Sequence, residues 1–151
     1  MLEYDFEESI GFWIVMTSRQ WEKALNDELA PHNITYRQVQ VLGWLALDGE
    51  LTQSQIAERM RIEAPTLTNI LDRMERDRWI ARVTSAQDRR KKIVKPTPRV
   101  QPVWAKIVKA ARRVRGRATA GLNPKDIALV KKILGQIQDN LKAPRGLEEA
   151  I

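Results

Sequence analysis

Apolar residues recur at helical spacing from the N-terminus: Phe6, Ile10, Trp13, Ile14, Trp21, Leu25 and Leu29 predict a helix over Tyr4 to Leu29, ended by Pro31 and Asn33. The stretch "TYRQVQVLGWLAL" opens a second helix, with Thr35 and Gln38 spaced as a capping box. Asp48-Gly49 marks a turn. "LTQSQIAERM" repeats the device with Thr52 and Gln55, and buries Ile56, Ala57 and Met60. After the break "RIE" comes "APTLTNILDRMERD", where Leu67, Ile70, Leu71 and Met74 form one inward face and Pro65 sits in the first turn. "RWIARVTS" and "KKIVKP" read as two hairpin strands on either side of "AQDRR". A long basic helix over "TPRVQPVWAKIVKAARRVRGRATAG" follows. A last helix, "LNPKDIALVKKILGQIQDNL", has Asn123 as N-cap and Pro124 at N1, and the tail "KAPRGLEEAI" is expected to fray.

Two short helices joined by a three-residue break and followed by a basic hairpin predict a helix-turn-helix with a wing. With the apolar face of the second helix turned inward, Pro65, Thr66, Asn69, Arg73 and Arg76 point out. That face is small at its N-terminal end, amide-bearing in the middle and cationic beyond. It suits a DNA major groove: Thr66 can touch a thymine methyl, Asn69 can pair with adenine, and Arg73 can reach guanine or phosphate. Thr68 on the same helix and Gln53 and Ser54 at the start of the preceding one complete the candidate helical contacts. At the hairpin tip, Arg89, Arg90, Lys91 and Lys92 stand in a row after Asp88. Cations there are placed for the adjacent minor groove, and Asp88 is spaced to hold Arg90 in an extended pose.

Charge sharpens this picture. The net charge is +7, but residues 1–30 carry seven acids and two bases, whereas residues 96–119 carry seven bases and no acid. Such asymmetry points to a polyanion-binding face. The absence of cysteine excludes disulfides, thiolate metal sites and thiol redox sensing. One loop histidine, His32, is too little for a zinc or catalytic site, and no Gly-rich phosphate loop or catalytic triad can be assembled. The sequence thus calls for no enzyme activity, no metal and no cofactor. An acidic N-terminus and the lack of an apolar run of about 18 residues predict a cytoplasmic protein without a membrane partner.

The segment "LTQSQIAERMRIEAPTLTNILDRMERDRWIARVTSAQDRRKKIVKPT" resembles the winged helix-turn-helix of the MarR/SlyA family of bacterial transcriptional regulators, with "DRR" in the wing as the most specific part. The resemblance implies a mainly α fold with a small β-hairpin wing, as one domain over 1–151: a DNA-binding core at 35–97, and dimerisation helices at 1–34 and 98–143. It also implies base reading through Pro65, Thr66 and Asn69 and a minor-groove contact by Arg90. The expected regulator is a homodimer on a palindromic operator in double-stranded DNA, a ligand-responsive repressor released by a small lipophilic or aromatic effector. Wide apolar stripes at both ends of the chain, too much for the core to cover, agree with a second subunit. Of the five tryptophans, some are candidates for an effector pocket and the rest for core. Two positions depart from the family: Arg78 and Val100 stand where relatives have Gly, which puts the end of the recognition helix and the start of the long basic helix in question. The competing reading is a winged-helix module that binds RNA or protein.

Overall fold

The computed structural model describes residues 4–142; of the tail expected to fray, Lys142 still ends a helix and 143–151 lie outside the described residues. The helices are α1 (Ile10–Leu29), α2 (Tyr36–Asp48), α3 (Gln53–Met60), α4 (Ala64–Arg76), α5 (Gln101–Ala118) and α6 (Pro124–Lys142). The strands are β1 (Leu51–Thr52), β2 (Ile80–Thr84) and β3 (Lys92–Pro96), in the antiparallel order β1-β3-β2. The mainly α architecture with a winged helix-turn-helix is therefore as expected. The chain divides into two compact units, one up to Val114 and one from Arg115.

In the first unit the core gathers one stripe from each element. Leu29 and Val41 meet Ile56, Leu71 and Met74, all essentially without solvent contact, and Val94 of the sheet and Ile107 of α5 close it. Both capping boxes form. Thr35 Oγ1 accepts from the Gln38 N–H at 3.3 Å, and Thr52 Oγ1 from the Gln55 N–H at 3.2 Å, while each glutamine side chain accepts the N–H of its threonine. In the second unit α6 starts as expected, with Asn123 Oδ1 accepting the Asp126 N–H at 2.9 Å.

Four boundaries differ from expectation. The first helix begins at Ile10 and not at Tyr4, because Ser9 is extended and accepts the Phe12 N–H, ending the helix there. Residues 6–8 form a turn, and the Phe6 ring packs edge-on against Tyr4 and Phe12. The sheet has a third strand, since Leu51 and Thr52 pair with Val94 and Ile93. The basic helix opens as a 3-10 turn over Pro98–Val100, with Thr97 accepting the Arg99 N–H, and it stops at Ala118. Val100 is buried there in a helical turn, so the family's glycine is not needed.

The end of α4 keeps its left-handed closure despite Arg78. Arg78 has φ of 61°, its N–H donates to Glu75 O, and the Trp79 N–H donates to Met74 O, both at 2.9 Å. This is the Schellman pattern with a non-glycine residue at C′. Thr97 fastens the same end: its N–H donates to Trp79 O at 2.9 Å and its hydroxyl to Arg78 O.

Candidate nucleic-acid interface

Helix α4 buries Leu67, Leu71 and Met74 and exposes Pro65, Thr66, Asn69, Arg73 and Arg76, as its periodicity requires. Its N-cap residue, Glu63, makes no side-chain capping bond, unlike Ser9, Thr35 and Thr52 on the preceding helices. The first-turn N–H groups of α4 are thus left to an outside acceptor. Thr68 is half-buried, and its hydroxyl donates to Ala64 O of its own helix at 3.0 Å. Its methyl, more than its hydroxyl, is what it offers outward.

The wing is a built loop. The Ser85 N–H donates to Lys91 O and the Lys91 N–H to Asp88 O, both at 2.9 Å, closing the tip. The buried Ser85 hydroxyl accepts the N–H groups of Gln87 and Asp88 at 3.2 and 3.3 Å. Asp88 Oδ1 in turn accepts the Arg90 N–H at 3.0 Å and Nε at 3.3 Å. Those bonds, the backbone one foremost, and the charge of Lys91 hold the Asp88 carboxyl below its ordinary value. The Arg90 side chain remains 92% exposed. Arg89 and Lys91 are exposed too, while Lys92 rests its ammonium on Thr84 Oγ1 at 2.8 Å.

Two concavities flank α4. On one side, Gln53 and Ser54 of α3 face Arg90, Lys91 and Lys92 of the wing across a cavity of about 250 Å³ that reaches Ala64 and Leu67. The candidates of α3 and the wing are thereby brought together, whereas Pro65, Thr66, Thr68, Asn69, Arg73 and Arg89 do not line this cavity. On the other side, a cavity of about 270 Å³ joins Thr66, Asn69 and Arg73 to Thr35 and Arg37 at the start of α2. Thr35 and Arg37 were missed, because nothing in the local pattern of α2 tells which flank of α4 it will adjoin.

A second missed residue is Arg82 on β2. Its Nε donates to Glu75 Oε2 at 3.0 Å, its Nη2 to Asp72 Oδ1 at 2.6 Å, and its backbone N–H to Glu75 Oε1 at 3.0 Å. One guanidinium thereby engages both acids of α4, offsets one of their two charges and ties the wing to the helix. The Glu75 carboxyl is held below its ordinary value chiefly by the Arg82 hydrogen bond, and Arg82 is raised to match. Of the tryptophans, Trp44, Trp79 and Trp104 are partly buried against the core, whereas Trp13 and Trp21 are exposed on α1. The Arg59 guanidinium lies 5.9 Å from the centre of the Trp44 ring system and bridges to Asp48 at 2.7 Å. No group of three or more potential metal-ligating side chains occurs among the described residues, and none of their helices is long and apolar enough to cross a membrane.

Comparison with known proteins bears on what such a surface is. The model of the MarR family matches residues 32–91, the span from the turn before α2 to the wing. The solved transcriptional regulator PA3341 is 30% identical, with 89% of this chain and 98% of that one covered and a TM-score of 0.80. The transcriptional repressor CouR, solved bound to a 23-mer DNA duplex, is 24% identical over 91% of this chain and 99% of its own, with a TM-score of 0.77. BpsR of Bordetella bronchiseptica, whose DNA binding is regulated by 6-hydroxynicotinic acid, is 21% identical over 91% and 99%, with a TM-score of 0.76. With its winged helix-turn-helix, its basic wing and a likeness that runs nearly the full length of these regulators, the chain belongs to the MarR family of transcriptional regulators.

Proposed function

We propose that this protein is a sequence-specific regulator that binds a palindromic operator in duplex DNA as a homodimer and represses by occupying it. Helix α4 enters the major groove N-terminus first, with Pro65, Thr66 and Asn69 against base edges, and the wing delivers Arg90 to the minor groove. The observation that carries this reading is the exposed polar face of α4, open at its N-terminus and flanked by the cationic wing across one concavity. Gln53, Ser54, Thr68, Arg89, Lys91 and Lys92 line the same approach or border it, and serve phosphates more than bases. The duplex held by CouR supports the choice of DNA.

Dimerisation is supported by apolar surface that each unit leaves exposed. Phe6, Ile10 and Trp13 lie open at the start of the first unit, and Leu129, Val130 and Ile133 lie along α6 in the second. A two-fold dimer places its recognition helices about one helical turn of DNA apart, roughly 34–36 Å. Regulation of BpsR by an aromatic acid supports an effector of similar type here, a small lipophilic or aromatic molecule that releases the DNA.

Selection of bound sites from random duplexes tests the whole reading. The expected site has dyad symmetry with half-site centres about 10 base pairs apart. Recovery of sites without symmetry, or tighter binding to structured RNA than to any duplex, would overturn it.

A further inference from the structure

We infer that Arg37 of α2 and Arg73 of α4 form a phosphate clamp on the flank of the recognition helix away from the wing, and that Arg73 reads no base. The inference rests on the DNA-binding reading above. A recognition helix in the major groove has a sugar-phosphate ridge on each side. The wing-side concavity meets one ridge, and the concavity lined by Thr35, Arg37, Thr66, Asn69 and Arg73 is placed to meet the other.

Spacing assigns the two ends of that second concavity different tasks. Thr66, Asn69 and Arg73 share one flank of α4, at i, i+3 and i+7. At 1.5 Å per residue, Arg73 stands roughly 10 Å further along the axis than Thr66. The major groove is only about 8.5 Å deep. A helix that enters N-terminus first with Thr66 near the groove floor therefore carries Arg73 to the rim, where the ridge runs. Of the two partners open to Arg73, guanine or phosphate, that backbone position favours phosphate.

Arg37 converges on the same rim from a different element. Both side chains are exposed, and neither has a carboxylate partner among the described residues. Arg37 is steadied by Gln40 Oε1 at 3.0 Å, an acceptor that leaves its charge uncompensated. The acids of α4 that could oppose a phosphate, Asp72 and Glu75, are engaged by Arg82 on the wing side. Two guanidiniums without carboxylate partners on separate helices, lining one open concavity, fit a phosphodiester better than a base edge.

The test uses the full-length protein with a selected site and a scrambled duplex of equal length, across a salt series. Arg37→Ala and Arg73→Ala should each lower affinity for both duplexes by a similar factor. Each should also flatten the slope of log affinity against log salt by about one unit for each phosphate set free. Ethylation interference should disappear at the same phosphate position in both variants. A change of preference at one base pair in Arg73→Ala, or an unaltered salt slope in Arg37→Ala, would overturn the clamp alone. Failure of the unaltered protein to bind any duplex would overturn the clamp together with the reading on which it rests.

Discussion

Arg78 occupies a left-handed position, with φ of 61°, that glycine fills without strain. The two hydrogen bonds of the helix end and the hold of Thr97 keep it there. Arg78→Gly should therefore stabilise the protein by about 1 kcal/mol, the relief of strain less the added freedom of the unfolded chain. A rise in Tm of about 2–4 °C in thermal melts is the expected sign. At the DNA face, Asn69→Ala should cost roughly 1–3 kcal/mol on the selected site and relax preference at one position per half-site. Arg90→Ala should instead weaken binding to selected and scrambled DNA alike and flatten the salt slope by about one unit for each phosphate it ceases to neutralise. Competition assays on single-base variants of the site separate the two signatures. The exposed placement of Asn69 and Arg90 was legible in the sequence because a helical face and a hairpin tip are local patterns. Arg82 was not, because its value lies in two acids seven and ten residues back, which only the packing of β2 on α4 brings within reach.

Between elements, that ion pair is the bond between wing and recognition helix. Arg82→Ala should lower stability by roughly 1–2 kcal/mol, a charge-assisted bond discounted for partial exposure. It should also lower DNA affinity, since Asp72 and Glu75 would then confront the backbone uncompensated. The Glu75 carboxyl is depressed in the folded state, so the stability it contributes is complete above its ordinary value of 4.5 and is lost as pH falls through the lowered one. Thermal melts between pH 3 and 6 should show a steep acid limb that Glu75→Gln flattens; an unchanged limb would count against the bond. The helices themselves were readable from capping boxes and apolar stripes, which are short-range signals. The turn before α1 was misread because Phe6 continues the helical spacing while Ser9 ends the helix, and β1 was missed because two residues are too few to show an alternation.

For the molecule as a whole, the distribution of exposed apolar groups is what supports the proposed second copy. Leu129, Val130, Ile133 and Leu134 occupy adjoining turns of α6, a helix with no buried residue. A charge there should prevent association while leaving the winged core of the first unit intact. Ile133→Glu is expected to sediment as a monomer, keep the circular dichroism of a folded protein and lose most of its affinity for a palindromic site. Retention of a dimer at micromolar concentration would show that α6 is not at the subunit contact. The sequence carried the apolar stripes, but which of them the core would absorb depended on the packing of α2 to α5 around Leu71 and Val94, and no stripe states that by itself.

The tie between Asp88 and Arg90 has a consequence in conformational entropy. An arginine that enters a groove gives up rotamer freedom, and that loss opposes binding. Asp88 fixes the Arg90 backbone and Nε before DNA arrives, so part of the ordering is already complete in the free protein. Counting charges alone, Asp88→Ala removes a repulsion and ought to tighten binding. At 0.1 M salt the DNA charge beyond about 10 Å is screened from Asp88, whereas the lost restraint acts where Arg90 would meet the groove in the proposed complex. Asp88→Ala is accordingly expected to bind its site more weakly at this ionic strength although it is more positive, and calorimetry should register the deficit as a less favourable entropy of association.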